Sequence, residues 1–213
     1  DLDFIEPEAI KKEKLFDIHS EEMIDRVKQN SLLDESWIDL DTYVSKNDFE
    51  TSLLAAGGVL NACENVLSNK AENAFCLVRP PGHHATSKRS MGFCLFNNAA
   101  LAANELVKKG KKVLIIDPDV HHGNGVQDIF YDRSDVLYQS IHLSPHFPGT
   151  GDIEEIGGGK GKGYNINAPL GFLYGNRAAN QILNEIFLPV AEQFKPDIII
   201  MCTGYDSHHS DIL

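Results

Sequence analysis

The spacing of hydrophobic and polar residues changes along this chain, and each change marks an element. Met23, Ile24 and Val27 recur at helical spacing behind Ser20-Glu-Glu, which predicts a capped helix with Ser20 as N-cap. Leu40 to Lys46 reads as a short linker. From Asp48 to about Leu67 an Ala-, Leu- and Val-rich stretch predicts a buried helix. Gly57-Gly58 weakens that helix, so close packing against a neighbour is the expected reason for it. Ala74–Val78 is a short apolar run read as a strand, and Asn97–Lys109 is Ala-rich and helical. Lys112–Ile116 and Val136–Ile141 predict strands, the first ending at Asp117. Gly175–Phe194 has helical periodicity, and Asp197–Cys202 is a fully apolar strand. Continuous apolar strands separated by helices predict an α/β fold with a parallel sheet covered on both faces. Gly157–Gly163 matches neither phosphate-loop pattern and is expected to be a mobile, solvated loop.

Composition narrows the reading further. The 213 residues are 42% hydrophobic and 23% charged, which fits one soluble globular domain over residues 1–213. The formal charge of −12 lacks the basic footprint of a phosphate-backbone binder, so no direct nucleic-acid binding is expected. No apolar run approaches the roughly 18 residues of a membrane helix. Cys63, Cys76, Cys94 and Cys202 form no C-x-x-C pair, which argues against a thiolate zinc site and a disulfide framework. A reducing compartment is expected: the cytoplasm, or the nucleus in a eukaryote.

In open α/β sheets, ligands bind beyond the carboxyl ends of the strands. Eight of the nine histidines fall in four segments at such ends: 79–84, 117–124, 142–151 and 203–209, with His19 the exception. Asp117, Asp119 and His121 are two apart, so an extended segment would turn all three to one side. Asp and His donors suit zinc or another first-row divalent ion, with iron(II) as the alternative, and Asp206 can add a carboxylate. His83-His84, stiffened by Pro80-Pro81, can serve as a general base and a supporting imidazole.

Five segments then carry a family resemblance: Arg79-Pro-Pro-Gly-His-His-Ala85, Gly92-Phe-Cys-Leu-Phe-Asn-Asn98, Asp117-Pro-Asp-Val-His-His-Gly-Asn-Gly125, Phe147-Pro-Gly-Thr-Gly151 and Gly204-Tyr-Asp206. In this order they resemble the histone deacetylase family, which includes acetylpolyamine amidohydrolases, and the class II and prokaryotic branch in particular. The resemblance implies an arginase/deacetylase-like three-layer α/β/α fold with a mainly parallel central sheet, and a zinc-dependent amide hydrolase. It places Asp119, His121 and Asp206 as metal ligands and His84 as general base and acid. It places His83 as the neighbouring imidazole, Asp117 as its carboxylate partner, and Asn124 where some relatives carry an Asp beside the other histidine. Phe93 and Phe147 match aromatic tunnel walls, and Asp41 a rim carboxylate that holds the substrate backbone. Ser140, with Asp117, Asp119, His121 and Ile141, matches a structural K⁺ or Na⁺ site. A second such site would lie near Phe130, Arg133, Val136 and Tyr164. The implied partner is an acetylated amine: acetyl-lysine in a protein, an acetylpolyamine or a small metabolite. Oligomeric state is left open.

Against this resemblance the chain is expected to be incomplete at both ends. The family's early His-Pro segment is absent, and so are the glycine-rich segment and electrophilic Tyr or His beyond Asp206; Tyr205 does not occupy that position. Two rival readings remain. A binuclear manganese ureohydrolase would want extra Asp ligands where Gly123 and His208 stand. A non-catalytic acyl-lysine or partner-binding module would bind without turnover.

Overall fold

The computed structural model describes residues 2–212, in two compact units divided between Glu105 and Leu106, within the helix Asn98–Lys108. The first unit is mainly helical. Helix α1 (Glu21–Asn30) starts where Ser20 Oγ accepts the Met23 N–H at 3.3 Å, and it buries Met23, Ile24 and Val27. The segment expected as a linker instead forms a hairpin, β1 (Glu35–Trp37) against β2 (Tyr43–Ser45). It is built on Val44, fully buried, while the rings of Trp37 and Tyr43 meet across the strands at 58°, with 5.9 Å between centroids. Helix α2 (Asp48–Leu67) follows, and the reason for its glycine is visible: a Cβ on Gly57 would run into the backbone of Glu8 and sit 2.6 Å from Ile10 N.

The strand expected at 74–78 does not form. No neighbouring strand pairs with it among the described residues, and Phe75 and Leu77 stand exposed. Apolar content alone does not make a strand without a ladder to bond to. Helix α3 spans Asn98–Lys108.

The second unit carries a four-stranded parallel sheet in the order β5-β4-β3-β6, from β3 (Val113–Asp117), β4 (Val136–Leu143), β5 (Asn165–Leu170) and β6 (Ile198–Met201). Helix α4 (Asn124–Phe130) lies between β3 and β4 in sequence. The helical stretch at 175–194 is α5 (Asn176–Ile182), a wider π turn, then α6 (Leu188–Phe194). Leu114, Leu137 and Ile166 share the sheet face that packs on Phe194, Val190 and Ala191 of α6. The opposite face, by the parity of the register, carries Asp117, Tyr138, Ser140, His142, Asn165 and Asn167, all buried. Strand β4 runs two residues further than expected, so His142 lies within a strand and not in a loop. The Gly157–Gly163 segment is solvated only in part: Gly159, Lys160, Lys162 and Gly163 are exposed, but Gly161 is buried, Gly158 N–H bonds Tyr131 C=O at 2.8 Å, and a Cβ on Gly161 would sit 2.6 Å from Arg133 N. The glycines there allow backbone to lie on backbone.

Candidate metal centre

Strands β3 and β6 are parallel neighbours, and Cys202 N–H extends their ladder to Ile116 C=O at 2.9 Å. The segments leaving their carboxyl ends therefore emerge side by side. Asp119 and His121 come from the first and Asp206 from the second, and one ligand atom of each lies within 4.8 Å of the others. His121 Nδ1 is 3.0 Å from Asp119 Oδ1 and 3.0 Å from Asp206 Oδ2. The arrangement is held from behind. Asp119 Oδ1 accepts the His121 N–H at 2.8 Å, and Asp206 Oδ1 accepts the Val120 N–H at 3.1 Å. Gly204 leaves no space: a Cβ there would sit 2.5 Å from the Asp119 carboxyl carbon.

The electrostatics match a cation site. Hydrogen bonds to Asp119 and then to Asp206 push the His121 pKa up to about 9, against the opposing effect of burial. Burial works against ionisation of Asp206, but the bonds from His121 and the Val120 N–H outweigh it and hold the carboxyl below its ordinary range. A proton on His121 thus sits between two carboxylates, where a divalent ion would place its charge. Two oxygen donors and one imidazole nitrogen fit zinc or iron(II), and three protein ligands leave room for water.

The two-residue spacing also suggested Asp117 as a third side chain on this group, and the structure separates it. The chain bends after β3, and Asp117 is instead buried, accepting the Tyr138 O–H at 3.1 Å. A Cβ on Gly123 would meet Tyr138 Oη at 2.5 Å, so position 123 has no room for a carboxylate side chain. Position 208 is exposed. Among the described residues this triad is the only group of three or more such ligands within that distance.

A family profile described as "Histone deacetylase domain" matches residues 1–213. The chain belongs to the histone deacetylase family. A probable deacetylase of Archaeoglobus fulgidus is 41% identical over 208 residues, covering 97% of this chain and 58% of the relative. Histone deacetylase 15 of Arabidopsis thaliana is 40% identical over 214 residues, covering 98% of this chain and 39% of that protein. Among solved structures, the HDA15 HD domain matches with a TM-score of 0.92 at 38% identity, over 98% of this chain and 61% of its own. Acetylpolyamine aminohydrolase from Burkholderia pseudomallei matches with 0.87 at 28% identity, over 97% and 70%. The expected α/β deacetylase fold is thereby shown. The chain spans 58% or less of the length of these two curated relatives.

The other residues that the histone deacetylase resemblance singled out fall into separate places. In the first unit, His83 and His84 lie ring on ring, 3.9 Å between centroids, with His84 buried. Asp41 Oδ1 accepts the Gly92 N–H at 3.1 Å and the Thr42 hydroxyl at 2.8 Å, and Thr42 Oγ1 accepts the Phe93 N–H at 3.0 Å. The hairpin thus brings Asp41 and Phe93 together, with Phe93 exposed. In the second unit, Phe147 meets the His121 ring edge-on at 6.0 Å, and His146 lies 5.1 Å from it. Asn124 is the first residue of α4. Asp117 and Ser140 are paired across β3 and β4, with Ile141 next along the strand. At the second suggested cation site, Phe130 C=O accepts the Arg133 N–H at 2.9 Å and Tyr164 C=O the Tyr138 N–H at 2.9 Å; Val136 is buried at the start of β4.

Four residues at this centre escaped sequence reasoning as site residues. Tyr138 holds Asp117. His142 donates from Nε2 to Gly151 C=O at 3.0 Å, so its Nδ1 accepts the Ser140 hydroxyl at 2.9 Å. Burial holds it below the ordinary imidazole value. Tyr174 is pushed up first by burial and then by the charges of Asp206 and Asp119. Glu155 ties the loop that carries Phe147. Only His142 gave a signal, as one histidine in the strand-end group.

Proposed function

We propose that the protein carrying this chain is a metal-dependent deacylase that hydrolyses N-acetylated primary amines. The observation that carries the reading is the Asp119–His121–Asp206 group at adjoining parallel strand ends, in a member of the histone deacetylase family. These three residues would hold zinc, with iron(II) as the alternative. When bound, such an ion polarises an amide carbonyl and acidifies water. His84 takes a proton from the attacking water and returns it to the leaving amine, with His83 as its supporting imidazole. Asp117, its carboxylate fixed by Tyr138, orients the imidazole it pairs with, and Asn124 adds an uncharged partner. Phe147 packs on His121 and contacts the acyl chain; Phe93 and Asp41 are assigned to substrate contact. Ser140, Asp117, Asp119, His121 and Ile141 are assigned to a structural K⁺ or Na⁺. Acetyl-lysine, acetylpolyamine and small acetylated metabolites share the amide this chemistry opens.

The test uses the full-length protein. Asp119→Ala and Asp206→Ala are expected to lose the metal by elemental analysis. His84→Ala is expected to keep it while kcat on an acetyl-lysine amide falls by about 10²–10⁴-fold, the usual worth of a general base. Stoichiometric metal in both Asp variants would overturn the ligand assignment. A metal-loaded wild type that turns over no acetylated amine would favour a binding module.

A further inference from the structure

Glu155 lies on the loop between β4 and β5, half-buried, and is gripped at two points. Its carboxylate Oε2 accepts the Gly151 N–H at 3.1 Å and the Gln127 Nε2–H at 2.5 Å. Its backbone carbonyl accepts the Asn165 side-chain amide at 2.5 Å. Gln127 Oε1 collects the amides of Asn165 and Asn167, both at 2.8 Å, so α4, β5 and the loop share one buried cluster. The donor amides of this cluster are committed to the loop, because buried N–H groups left without partners are costly, while Asn165 Oδ1 and Asn167 Oδ1 make no hydrogen bond.

From Gly151 the ties run toward the metal ligands. Gly151 C=O takes the His142 Nε2–H, and the preceding Thr150 hydroxyl bonds His122 Nδ1 at 2.8 Å. Gly151 has φ +90°, and a Cβ there would sit 2.5 Å from His142 Nε2 and 2.7 Å from His122 Cγ. The peptide is pressed onto both imidazoles. His122 adjoins the ligand His121, and four residues upstream of Gly151 stands Phe147, edge-on to His121.

We propose that Glu155 is a positioning residue for the substrate wall of the metal centre: by fixing Gly151 it holds Phe147 against His121. This deepens the deacylase reading and rests on it for its kinetic effect. A carboxylate suits the position because one oxygen receives two N–H donors at once, a stronger hold than a neutral acceptor gives. Release of Gly151 would free the wall while leaving Asp119, His121 and Asp206 in place, since their supporting bonds come from Val120, His121 and the β3–β6 ladder.

The test compares Glu155→Ala and Glu155→Gln in the full-length protein. With Glu155→Ala, KM for an acetyl-lysine amide is expected to rise about tenfold with kcat within about twofold and zinc content unchanged, the pattern of lost substrate binding. Glu155→Gln keeps an acceptor oxygen and is expected to recover most of the change. Amide hydrogen exchange at Gly149 and Gly151 is expected to quicken in Glu155→Ala and to recover in Glu155→Gln. Gln127→Leu, which removes one of the two donors, is expected to give an intermediate KM and carries the test if Glu155→Ala does not fold. Lowered thermal stability with unchanged KM would overturn the proposal, as would zinc loss with a matching fall in kcat. If the wild type hydrolyses no acetylated amine, the deacylase reading fails, and the exchange rates alone decide whether Glu155 holds the loop.

Discussion

Replacing Gly204 by Ala adds one methyl group at the most crowded point of the metal centre. The new Cβ would fall inside the van der Waals shell of Asp119 Oδ2, 2.5 Å from Asp119 Cγ and 2.9 Å from Asp206 Oδ1. Ordinary contact begins near 3.4 Å, so the Asp119 carboxyl carbon must retreat by about 0.9 Å. Metal coordination tolerates deviations of about 0.2 Å. The backbone has little freedom to absorb the strain, because Cys202 is bonded to Ile116 and Asp206 to Val120. One methyl therefore displaces two of three ligands. Losing an outer-shell partner already costs about 10–100-fold in metal affinity, so a loss above about 100-fold is expected here. The assay is competition for zinc against a chromophoric chelator, with Gly171→Ala as control, since a Cβ at Gly171 meets nothing within 4 Å. Wild-type zinc affinity in Gly204→Ala would refute the assignment of Asp119 and Asp206 to one ion.

Three further predictions rest on His121 and Ser20. In the metal-free protein the His121 proton, with its pKa near 9, must leave before an ion can bind, so zinc affinity is expected to rise about tenfold per pH unit from 6 to 8. The same raised pKa stabilises the metal-free fold fully below about 6.5 and is lost as pH rises through about 9; proton release measured calorimetrically in two buffers checks the first, and pH-dependent melting the second. Ser20→Ala removes the α1 cap and is expected to cost about 1 kcal/mol, read as a lower denaturant midpoint at unchanged slope.

The elements that announced themselves in the sequence are those whose chemistry is local. Ser20 and the Met23–Ile24–Val27 stripe are contained in one helix, and the runs at 112–116 and 197–202 are apolar enough to be strands in any setting. The misread elements depend on distant partners. Ala74–Val78 has strand composition but pairs with no strand among the described residues, whereas Asn165–Leu170 has two asparagines and a proline yet is β5. Its asparagines are buried because Gln127 and the Glu155 carbonyl receive their amides, and nothing near 165 in sequence signals that. The hairpin at 35–45 was hidden similarly, its two strands being three residues each.

The candidate site divides along the same line. Asp119 and His121 were legible because they follow a strong strand signal at fixed spacing, and Asp206 because it follows another. What could not be read was which strand ends adjoin. Sequence order places β4 and β5 between β3 and β6, but the sheet sets β6 directly beside β3. In a parallel sheet, strands with the same direction release their loops at one edge, so this single adjacency brings residues far apart in the chain within ligand distance. It also accounts for the buried polar face. Positions 117, 138, 140 and 142 share one side of β3 and β4 by the two-residue period, so the face that reaches the metal centre at its carboxyl edge must carry polar partners inward from that edge. Tyr138 serves Asp117, and Ser140 and His142 serve each other and Gly151. The other face, with Leu114, Leu137 and Ile141, packs as apolar core against α6 and the π turn, and its one buried polar side chain on β4, Gln139, donates to Phe187 C=O of that turn at 3.0 Å.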